Sequence, residues 1–378
     1  CMNPIIFFDE LDKVSETAKG EEIINILTHL TDYTQNSHFN DKYFSGIDID
    51  LSKVIFIFSC NNVNKISRIL KDRMFIIKLN SFTYIEKIKI SNNYLLPELL
   101  NKFNYNFSKI KLSDEIIEFI IEQYTYEGGV RKLKENLYEL LREINLRKIQ
   151  QKQILNKNIR FPIKLNIEMV KDLLSYKNTI NIEKIKNNNK VGYINGLWAS
   201  IYGIGGILPI EASYTLSNNN LDLELTGNQG FVMQESMKVA KIVAWNLLTD
   251  VQRTDLIKTW DKNKLCGLHL HCSDGATEKD GPSAGCAISV VIYSLLTNKP
   301  IKNDIAITGE ITLHGDVTEI GGLQNKIYGA IKSGISHVLY PEDNIKDINK
   351  LIKNNPSIKD KIKLTSIKHI NDVLKYVF

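Results

Sequence analysis

The chain has 378 residues, of which 43% are hydrophobic and 24% are charged, and this composition excludes wholesale disorder. Its formal net charge of +5 is small for the length, so a nucleic-acid partner is possible but not indicated. The longest apolar run, residues 286–296, is too short for a membrane span, and the five cysteines form no CxxC pair, as expected of reduced thiols. At roughly 150 residues per domain, the length predicts two or three domains.

Two short apolar runs near the start of the chain, residues 5–8 and 54–58, read as buried β-strands. Between them, residues 21–30 carry apolar side chains at helical spacing. Because buried strands that alternate with a helix are typical of parallel sheets, this region is predicted to be a piece of an α/β domain.

Two carboxylates, Asp9 and Glu10, follow the first of these strands, as in a Walker B strand. In such a strand the aspartate holds the water shell of a nucleotide-bound Mg²⁺, and the glutamate orients the attacking water. Asn61 closes the second strand, which is the place of a sensor asparagine. Arg73 and Arg131 follow in the order in which ring ATPases carry an arginine finger and a second sensor. Taken singly, each has an alternative interpretation as a surface or ion-pair residue.

The middle of the chain changes character. Residues 84–175 are predicted to be helical, and residues 130–147 show an amphipathic stripe. Residues 176–190 are polar and rich in Asn and Lys, which predicts a linker. From residue 191 to the end, glycines punctuate an α/β pattern.

A serine stands at the start of a predicted helix. Pro282 and Ser283 directly precede the apolar run 286–296, and proline is favoured in the first turn of a helix. The N–H groups of that turn could stabilise an oxyanion, and the small residues Ala284 and Gly285 would let a substrate backbone approach. The simpler alternative is an ordinary helix cap.

The same segment matches the Gly-x-Ser-x-Gly elbow of α/β-hydrolases, which is a second alternative. That elbow needs the serine directly after a strand, whereas the preceding strand candidate, residues 268–271, ends well before it. A triad would also need a later histidine, and His314, His337 and His369 are the candidates.

A better partner for the serine is a lysine. In a predicted helix over residues 321–332, Lys326 lies on the flank of the apolar stripe, and Lys332 lies nearly opposite, towards water. Burial would lower the pKa of Lys326 and so provide a neutral amine that can take a proton from Ser283. The alternative is a lysine that only extends its ammonium group to the surface.

These motifs together resemble the Lon family of ATP-dependent proteases, in a single register over nearly the whole chain. On the protease side the resemblance lies in Lys-Asp-Gly-Pro-Ser-Ala-Gly at 279–285, Thr-Gly-Glu-Ile-Thr-Leu at 308–313, Ile-Gly-Gly-Leu at 320–323 with Lys326, and the segments 232–236 and 275–277. On the ATPase side it lies in residues 8–13, 72–74 and 129–131. The separation of 43 residues between Ser283 and Lys326 also fits that family.

The resemblance implies specific roles on the protease side. Ser283 would be the nucleophile and Lys326 the general base, with Thr308 hydrogen-bonded near the lysine and Asp280 shaping and gating the loop before the serine.

The remaining roles implied by the resemblance are supporting or belong to the ATPase. His269 and His271 would be supporting strand residues, with a metal site as the weaker alternative. The Mg²⁺, water-orienting, sensor and finger positions would be Asp9, Glu10, Asn61, Arg73 and Arg131.

The implied architecture is an α/β multidomain protein. It would comprise a partial AAA+ α/β sheet (1–80), a helical lid (81–175), a linker (176–190) and an α/β proteolytic domain of the Lon, ribosomal S5 domain 2-like, type (191–378). The implied activity is an ATP-dependent serine endopeptidase. It would use ATP and Mg²⁺ and act as a homohexamer on unfolded proteins in the cytoplasm, or in the mitochondrial matrix of a eukaryote. Peptide-bond chemistry itself would need no cofactor.

No Gly-x-x-x-x-Gly-Lys-Ser/Thr phosphate loop occurs in these 378 residues, and the chain begins at Cys1 without an initiator methionine. We therefore expect it to be the C-terminal portion of a larger enzyme. A further alternative, which intact Ser283 and Lys326 oppose, is an AAA+-type remodelling module whose protease-like domain is inactive.

Overall fold

The structure is a computed structural model that describes residues 3–14, 18–41, 43, 46–79, 81–155, 157–180, 183–186, 188–200, 203–272 and 279–378. The chain divides into two units, residues 1–80 and residues 81–378. Across these described ranges, no helix is both long and apolar enough to cross a membrane.

The first unit is a small α/β arrangement. Its elements in chain order are β1 (Ile5–Phe8), α1 (Ala18–Leu30), β2 (Phe39–Asn40), β3 (Asp48–Ile49), β4 (Ile55–Phe58) and α2 (Arg68–Lys71). Strands β1 and β4 pair in parallel, and β2 pairs antiparallel with β3. The predicted helix and the predicted parallel pairing are confirmed.

The prediction that both apolar strands are buried is wrong on one face of the sheet. Ile5 and Phe7 are 65% and 58% exposed, whereas Phe8 stacks on Phe58 with ring centroids 5.2 Å apart and packs against the small core around Leu27. Successive side chains of a strand point to opposite faces, and in the described residues only one face of this sheet carries a core cluster.

The second unit begins with a helical region, as predicted. Its elements are α3 (Tyr84–Ile90), α4 (Leu96–Lys102), β5 (Ile110–Lys111), α5 (Asp114–Tyr124), α6 (Arg131–Ile149), β6 (Gln153–Ile154), β7 (Lys157–Asn158), β8 (Ile163–Lys164) and α7 (Ile167–Leu173). The predicted apolar stripe lies on α6, where Leu133, Leu137 and Leu140 are buried in the core. The short strand pairs β5–β8 and β6–β7 were not predicted.

An α/β region follows. Its elements are β9 (Tyr193–Ala199), β10 (Gly205–Thr215), β11 (Leu223–Thr226), α8 (Phe231–Asn246), α9 (Asp250–Asn263), β12 (Gly267–Cys272), α10 (Gly285–Thr297), β13 (Ile305–Ile307), β14 (Glu310–Ile311), β15 (Val317–Thr318), α11 (Leu323–Ser333), β16 (His337–Pro341), α12 (Ile345–Asn354), α13 (Ile358–Lys361), β17 (Lys363–Ile367) and α14 (Ile370–Val377). Over the described residues, the main sheet has the mixed seven-strand order β11-β12-β10-β9-β13-β16-β17. The predicted α/β fold class is confirmed.

Two cores lie on opposite faces of this sheet. Helices α8, α10 and α14 pack against one face, and helices α11, α12 and α13 pack against the other. Side chains on the two faces of β10 point into different cores, with Ile210 in the first and Ile207 in the second. Thr308 directly follows β13, which is an inner strand of this sheet. Because helices cover both faces of the sheet, the chain leaves it at Thr308 with a helical layer on each side.

The helical and α/β regions of the second unit are in direct contact. The segment that connects them bonds to both, because the N–H of Ile180 donates to the carbonyl of Gln123 (2.7 Å) and the N–H of Ile185 donates to the carbonyl of Ser333 (3.2 Å). Lys332 forms an ion pair with Glu122 of α5 (3.0 Å). The expectation that Lys332 faces water is therefore wrong, because α5 lies beside the end of α11.

Candidate active site

Ser283 lies in a tight turn that leads into a helix. Residues Pro282–Ala284 form a 3₁₀ turn that continues directly into α10, so the predicted helix and the predicted position of the proline are confirmed. Gly281 before the turn has a φ of +115°, which favours glycine. The Ser236 hydroxyl donates to the Pro282 carbonyl (3.3 Å) and holds the turn against α8.

Asp280 anchors the loop in front of the serine. Its Oδ1 accepts a hydrogen bond from the N–H of Met233 in the first turn of α8 (3.1 Å), whose N-cap, Gly230, has no side chain to do so. A Cβ at Gly230 would lie 2.6 Å from Asp280 Cγ, so the carboxylate takes the space that a side chain would fill. Residues 275–277, which carry part of the motif, lie outside the described residues.

Gly285 has a different role from the one expected. It is buried, and a Cβ there would lie 2.7 Å from Ser236 Oγ and 2.9 Å from Ile311 Cγ2. Its small size therefore allows α10 to pack against α8 and β14, rather than giving a substrate access. Ala284, by contrast, does line the cleft that contains Ser283.

Lys326 meets Ser283 from the opposite face of the sheet. Its Nζ lies 2.8 Å from Ser283 Oγ and 3.0 Å from Thr308 Oγ1. The side chain is only 3% exposed, and this burial lowers the pKa of Lys326 from 10.5 to about 8.

Thr308 joins the two residues. It is fully buried after β13, and its hydroxyl donates to the Ser283 carbonyl (3.3 Å) while accepting from Lys326. The N–H of Gly309 also donates to the Ser283 carbonyl (2.8 Å), and the N–H of Cys286 donates to the Gly309 carbonyl (3.1 Å). The serine turn is thus tied to the end of β13 by backbone hydrogen bonds.

This arrangement suits proton transfer from serine to lysine. With a pKa near 8, about a tenth of the Lys326 amines are neutral at pH 7, against fewer than about one in a thousand for an unperturbed lysine. A neutral amine that donates an N–H to Thr308 can direct its lone pair at Ser283 Oγ.

The strand histidines contact a threonine rather than the serine. Thr226 Oγ1 lies 2.9 Å from His269 Nε2 and 2.8 Å from His271 Nδ1, so one hydroxyl can donate to one ring and accept from the other. No cluster of three metal-ligating side chains occurs in the described residues. The contact of Thr226 with the two histidines was not predicted, because the pairing of β11 with β12 leaves no local signal in the sequence.

The α/β-hydrolase alternative is wrong. Strand β12 ends at Cys272, well before the serine turn, and the amine of Lys326 occupies the position that a histidine would need. His369 Nε2 instead lies 3.0 Å from the His314 carbonyl, and His337 Nε2 lies 2.8 Å from Thr365 Oγ1.

In the first unit, Asp9 and Glu10 lie where β1 and β4 end. The Ser59 hydroxyl donates to Asp9 Oδ1 and accepts from the N–H of Glu10 (3.1 Å), which joins the ends of the two strands. The Glu10 carboxylate forms an ion pair with Lys13 (2.7 Å). The N–H of Asn61 donates to Asp12 Oδ1 (3.2 Å). Ser59 was not predicted, although it directly follows the second apolar strand.

The two predicted arginines have different surroundings. Arg73 Nη1 donates to the Thr28 carbonyl (2.6 Å) and pairs with Asp32 (3.0 Å), which anchors its guanidinium beside the C-terminal end of α1. Arg131, the first residue of α6 in the second unit, has a side chain that is 91% exposed and lies 3.6 Å from Glu135.

A serine in contact with a buried lysine, on an α/β domain that follows a helical region, is the arrangement that serine–lysine peptidase chemistry requires. Three protein families match the chain in the order of these regions. They are the ATPase family associated with various cellular activities (AAA) over residues 2–81, the Lon protease AAA+ ATPase lid domain over residues 103–157, and the Lon protease (S16) C-terminal proteolytic domain over residues 164–378. The chain belongs to the Lon protease family.

Curated relatives agree with this assignment. The chain is 37% identical to the Lon protease of Campylobacter jejuni and 36% identical to that of Clostridium acetobutylicum, covering 99% of this chain in both cases and 46% and 45% of those proteins. It is 34% identical to a Lon protease homolog of Acanthamoeba polyphaga mimivirus, covering 98% of this chain and 41% of that protein. The chain thus spans less than half the length of these relatives.

Proposed function

We propose that this protein is the proteolytic portion of an ATP-dependent serine endopeptidase that uses Ser283 as nucleophile and Lys326 as general base. The observation that carries the proposal is the 2.8 Å contact between Ser283 Oγ and the buried amine of Lys326. The related Lon proteases and the match to the Lon proteolytic domain support it.

The proposed reaction has two stages. Ser283 Oγ bonds to the peptide carbonyl carbon as its proton passes to Lys326, and the protonated lysine then gives that proton to the leaving amine as the C–N bond breaks. Water next attacks the resulting ester while Lys326 again takes a proton, and cleavage of the ester restores the serine.

The neighbouring groups position these two residues. Thr308 orients the lysine amine, and Asp280 holds the loop before the serine against α8. N–H groups of the turn that contains Ser283 would stabilise the oxyanion, although that of Cys286 is already used by the Gly309 carbonyl.

For the ATPase we propose the roles that the family resemblance implies. Asp9 is an exposed carboxylate at the end of a parallel strand and fits the oxygen-ligand preference of Mg²⁺. When bound, Mg·ATP supplies the phosphoryl chemistry that powers unfolding and translocation. Glu10 would orient water, Asn61 and Arg131 would sense the nucleotide, and Arg73 would exchange its Asp32 partner for a neighbouring subunit's nucleotide. The whole enzyme would be a homohexamer that degrades unfolded proteins in the cytoplasm, or in the mitochondrial matrix of a eukaryote.

A serine-directed fluorophosphonate tests the proposal. We expect stoichiometric labelling at Ser283, more than about 100-fold slower labelling of Lys326→Ala, and wild-type labelling of the control His314→Ala. Loss of labelling in the histidine variant would contradict the lysine mechanism. Absence of labelling, together with absence of casein cleavage by the whole enzyme, would favour the inactive remodelling module instead.

A further inference from the structure

The segment between the helical and α/β regions, which was predicted to be a linker, is bound to both of them. We call Ile180 and residues 183–186 of this segment the strap. At one end, the N–H of Ile180 donates to the carbonyl of Gln123 near the end of α5 (2.7 Å). At the other end, the Lys186 ammonium pairs with Glu211 of β10 (2.8 Å). The strap is therefore held in place on both sides rather than joining two independent parts.

The strap completes the hydrogen bonding at the C-terminal end of α11. The last four carbonyls of a helix have no partner within the helix. In α11 the turn at Gly334 satisfies the first two of them. The third, of Lys332, accepts from the Lys184 ammonium, whose charge also suits the negative end of the helix dipole. The fourth, of Ser333, accepts from the N–H of Ile185 (3.2 Å). All four carbonyls thus have partners, and the strap provides two of them.

The strap also packs against the apolar side of α11 and forms part of the wall of the catalytic cleft. The Ile185 side chain contacts the core that contains Ile327, the residue that follows Lys326. Ile180 and Glu183 line the same cleft as the catalytic pair. Because burial lowers the pKa of Lys326, a segment that encloses this side of the cleft contributes to the surroundings that the amine needs.

We propose that the strap positions Lys326: by capping α11 and packing against it, the strap keeps the lysine amine beside Ser283 and shielded from water. An isolated helix of 11 residues is marginal in water, so the position of α11 depends on the groups that hold it. Lys184 and Ile185 are accordingly positioning residues, and the hydrogen bond at Gln123 connects the helical region to the helix that carries the base. The inference rests on the proposed peptidase function and adds to it a segment that controls the general base.

The pH dependence of acylation tests this role. Ile185→Ala removes the packing of the strap on the core but no charge. We expect the midpoint of the fluorophosphonate labelling rate against pH to rise by at least about 0.5 unit, because water that reaches Lys326 moves its pKa back towards 10.5. At pH 7 this shift alone slows labelling about threefold. The conservative variant Ile185→Val should keep the midpoint within about 0.2 unit of the wild-type value.

Leu364→Ala is the matched control. Leu364 is also half-buried and packs against the same core, but it lies on β17 at the edge of the main sheet. It loses as many carbon atoms as Ile185→Ala, so both variants should lower Tm, whereas the control should keep the wild-type midpoint. No Ile185 or Leu364 variant changes the other charged residues that line the cleft, which are Lys87, Glu122, Glu183, Lys279, Asp280 and Lys332.

Two results would overturn the positioning role. One is a wild-type midpoint in Ile185→Ala despite a lower Tm, and the other is an equal rise in Leu364→Ala. Should Ile185→Ala not fold, Lys184→Met replaces it at about 0.5 M salt, which screens the lost charge. This variant removes one cap of α11 and should also raise the midpoint, and an unchanged midpoint would equally overturn the role. Failure of the wild-type protein to react with the fluorophosphonate would instead count against the proposed peptidase function.

Discussion

At the scale of single residues, burial lowers the pKa of Lys326, but a buried lysine can act as a base only where a proton donor lies beside its amine. Lys87 is as deeply buried as Lys326, and burial lowers the pKa of both. The Lys87 ammonium, however, donates to the Glu127 carbonyl, whereas the Lys326 amine meets the Ser283 hydroxyl. Only the second arrangement places a proton donor beside the amine.

The pKa of Lys326 predicts how acylation depends on pH. A general base must be neutral, so the rate of Ser283 labelling should rise with pH through about 8 and become constant above it. At pH 7 it should be about a tenth of the plateau. Fluorophosphonate labelling rates from pH 6 to 10 measure this, and a rate that is independent of pH from 6 to 9 would contradict the assignment of Lys326 as the base.

Thr308 offers a separate prediction. Thr308→Val keeps the shape of the side chain but removes the hydroxyl that accepts from Lys326 and donates to the Ser283 carbonyl. We expect acylation to slow about tenfold, equivalent to about 1.4 kcal/mol, because the amine is no longer oriented. Thr308→Ser restores the hydroxyl and should recover most of the rate. Equal rates in the two variants would show that the hydroxyl has no positioning role.

Residue-level prediction from the sequence succeeds where the signal is local. Helical phase and the apolar stripe were enough to predict that Lys326 lies at a buried edge. Thr226 and Ser59 have no such signal, because each acts on atoms brought close by strand pairing or by packing of distant segments. Lys332 was misplaced for the same reason.

At the scale of elements, α11 connects several parts of the second unit. It carries Lys326 on one turn, packs its backbone against β10 at Gly329 and reaches α5 through Lys332. A Cβ at Gly329 would lie 2.3 Å from backbone atoms of Gly205 and Gly206. Backbone atoms cannot move aside as a flexible side chain can, so helix and strand require glycine at this contact.

This close contact predicts the effect of one methyl group. Gly329→Ala should destabilise the second unit by about 1–3 kcal/mol, or roughly 2–10 °C in Tm, because helix and sheet must separate. Gly321→Ala, at a position with open space around it, should change Tm by less than about 1 °C. Calorimetry of both variants makes the comparison. Similar Tm values for the two would contradict the packing described for α11.

The ion pair between Lys332 and Glu122 predicts energetic coupling between the helical and α/β regions. Their side chains are 30% and 19% exposed, so the coupling should exceed that of a surface pair and reach about 1 kcal/mol. A double-mutant cycle with Lys332→Met and Glu122→Gln, followed by thermal unfolding, measures it. The exposed Lys375–Asp372 pair is the control and should show a coupling below about 0.5 kcal/mol. Additive effects at Lys332 and Glu122 would mean that the pair does not join the two regions.

At the scale of the whole molecule, an α/β architecture was predictable, but the exposure of its surfaces was not. The parallel pairing of β1 and β4 followed from two apolar runs around a helix. The exposed side chains of Ile5 and Phe7 did not, because composition cannot show which face of a sheet is covered. The helical region was predictable for its long helices, and its two-residue strands were too short to leave a periodic pattern.

We also expect the two units of this chain to differ in activity: the second should react with a serine-directed reagent, and the first should not hydrolyse ATP. The sequence has Asp9 and Glu10 but no phosphate loop, whose backbone N–H groups would hold the ATP phosphates. We therefore expect this chain alone to release no phosphate from Mg·ATP above the blank, while a fluorophosphonate labels Ser283 in the same preparation. Labelling shows that the second unit has folded, and resistance of residues 1–80 to limited proteolysis in the same preparation would show that the first unit has folded as well. Phosphate release that disappears in Glu10→Gln would contradict the prediction, because it would require these residues to bind the triphosphate without that loop.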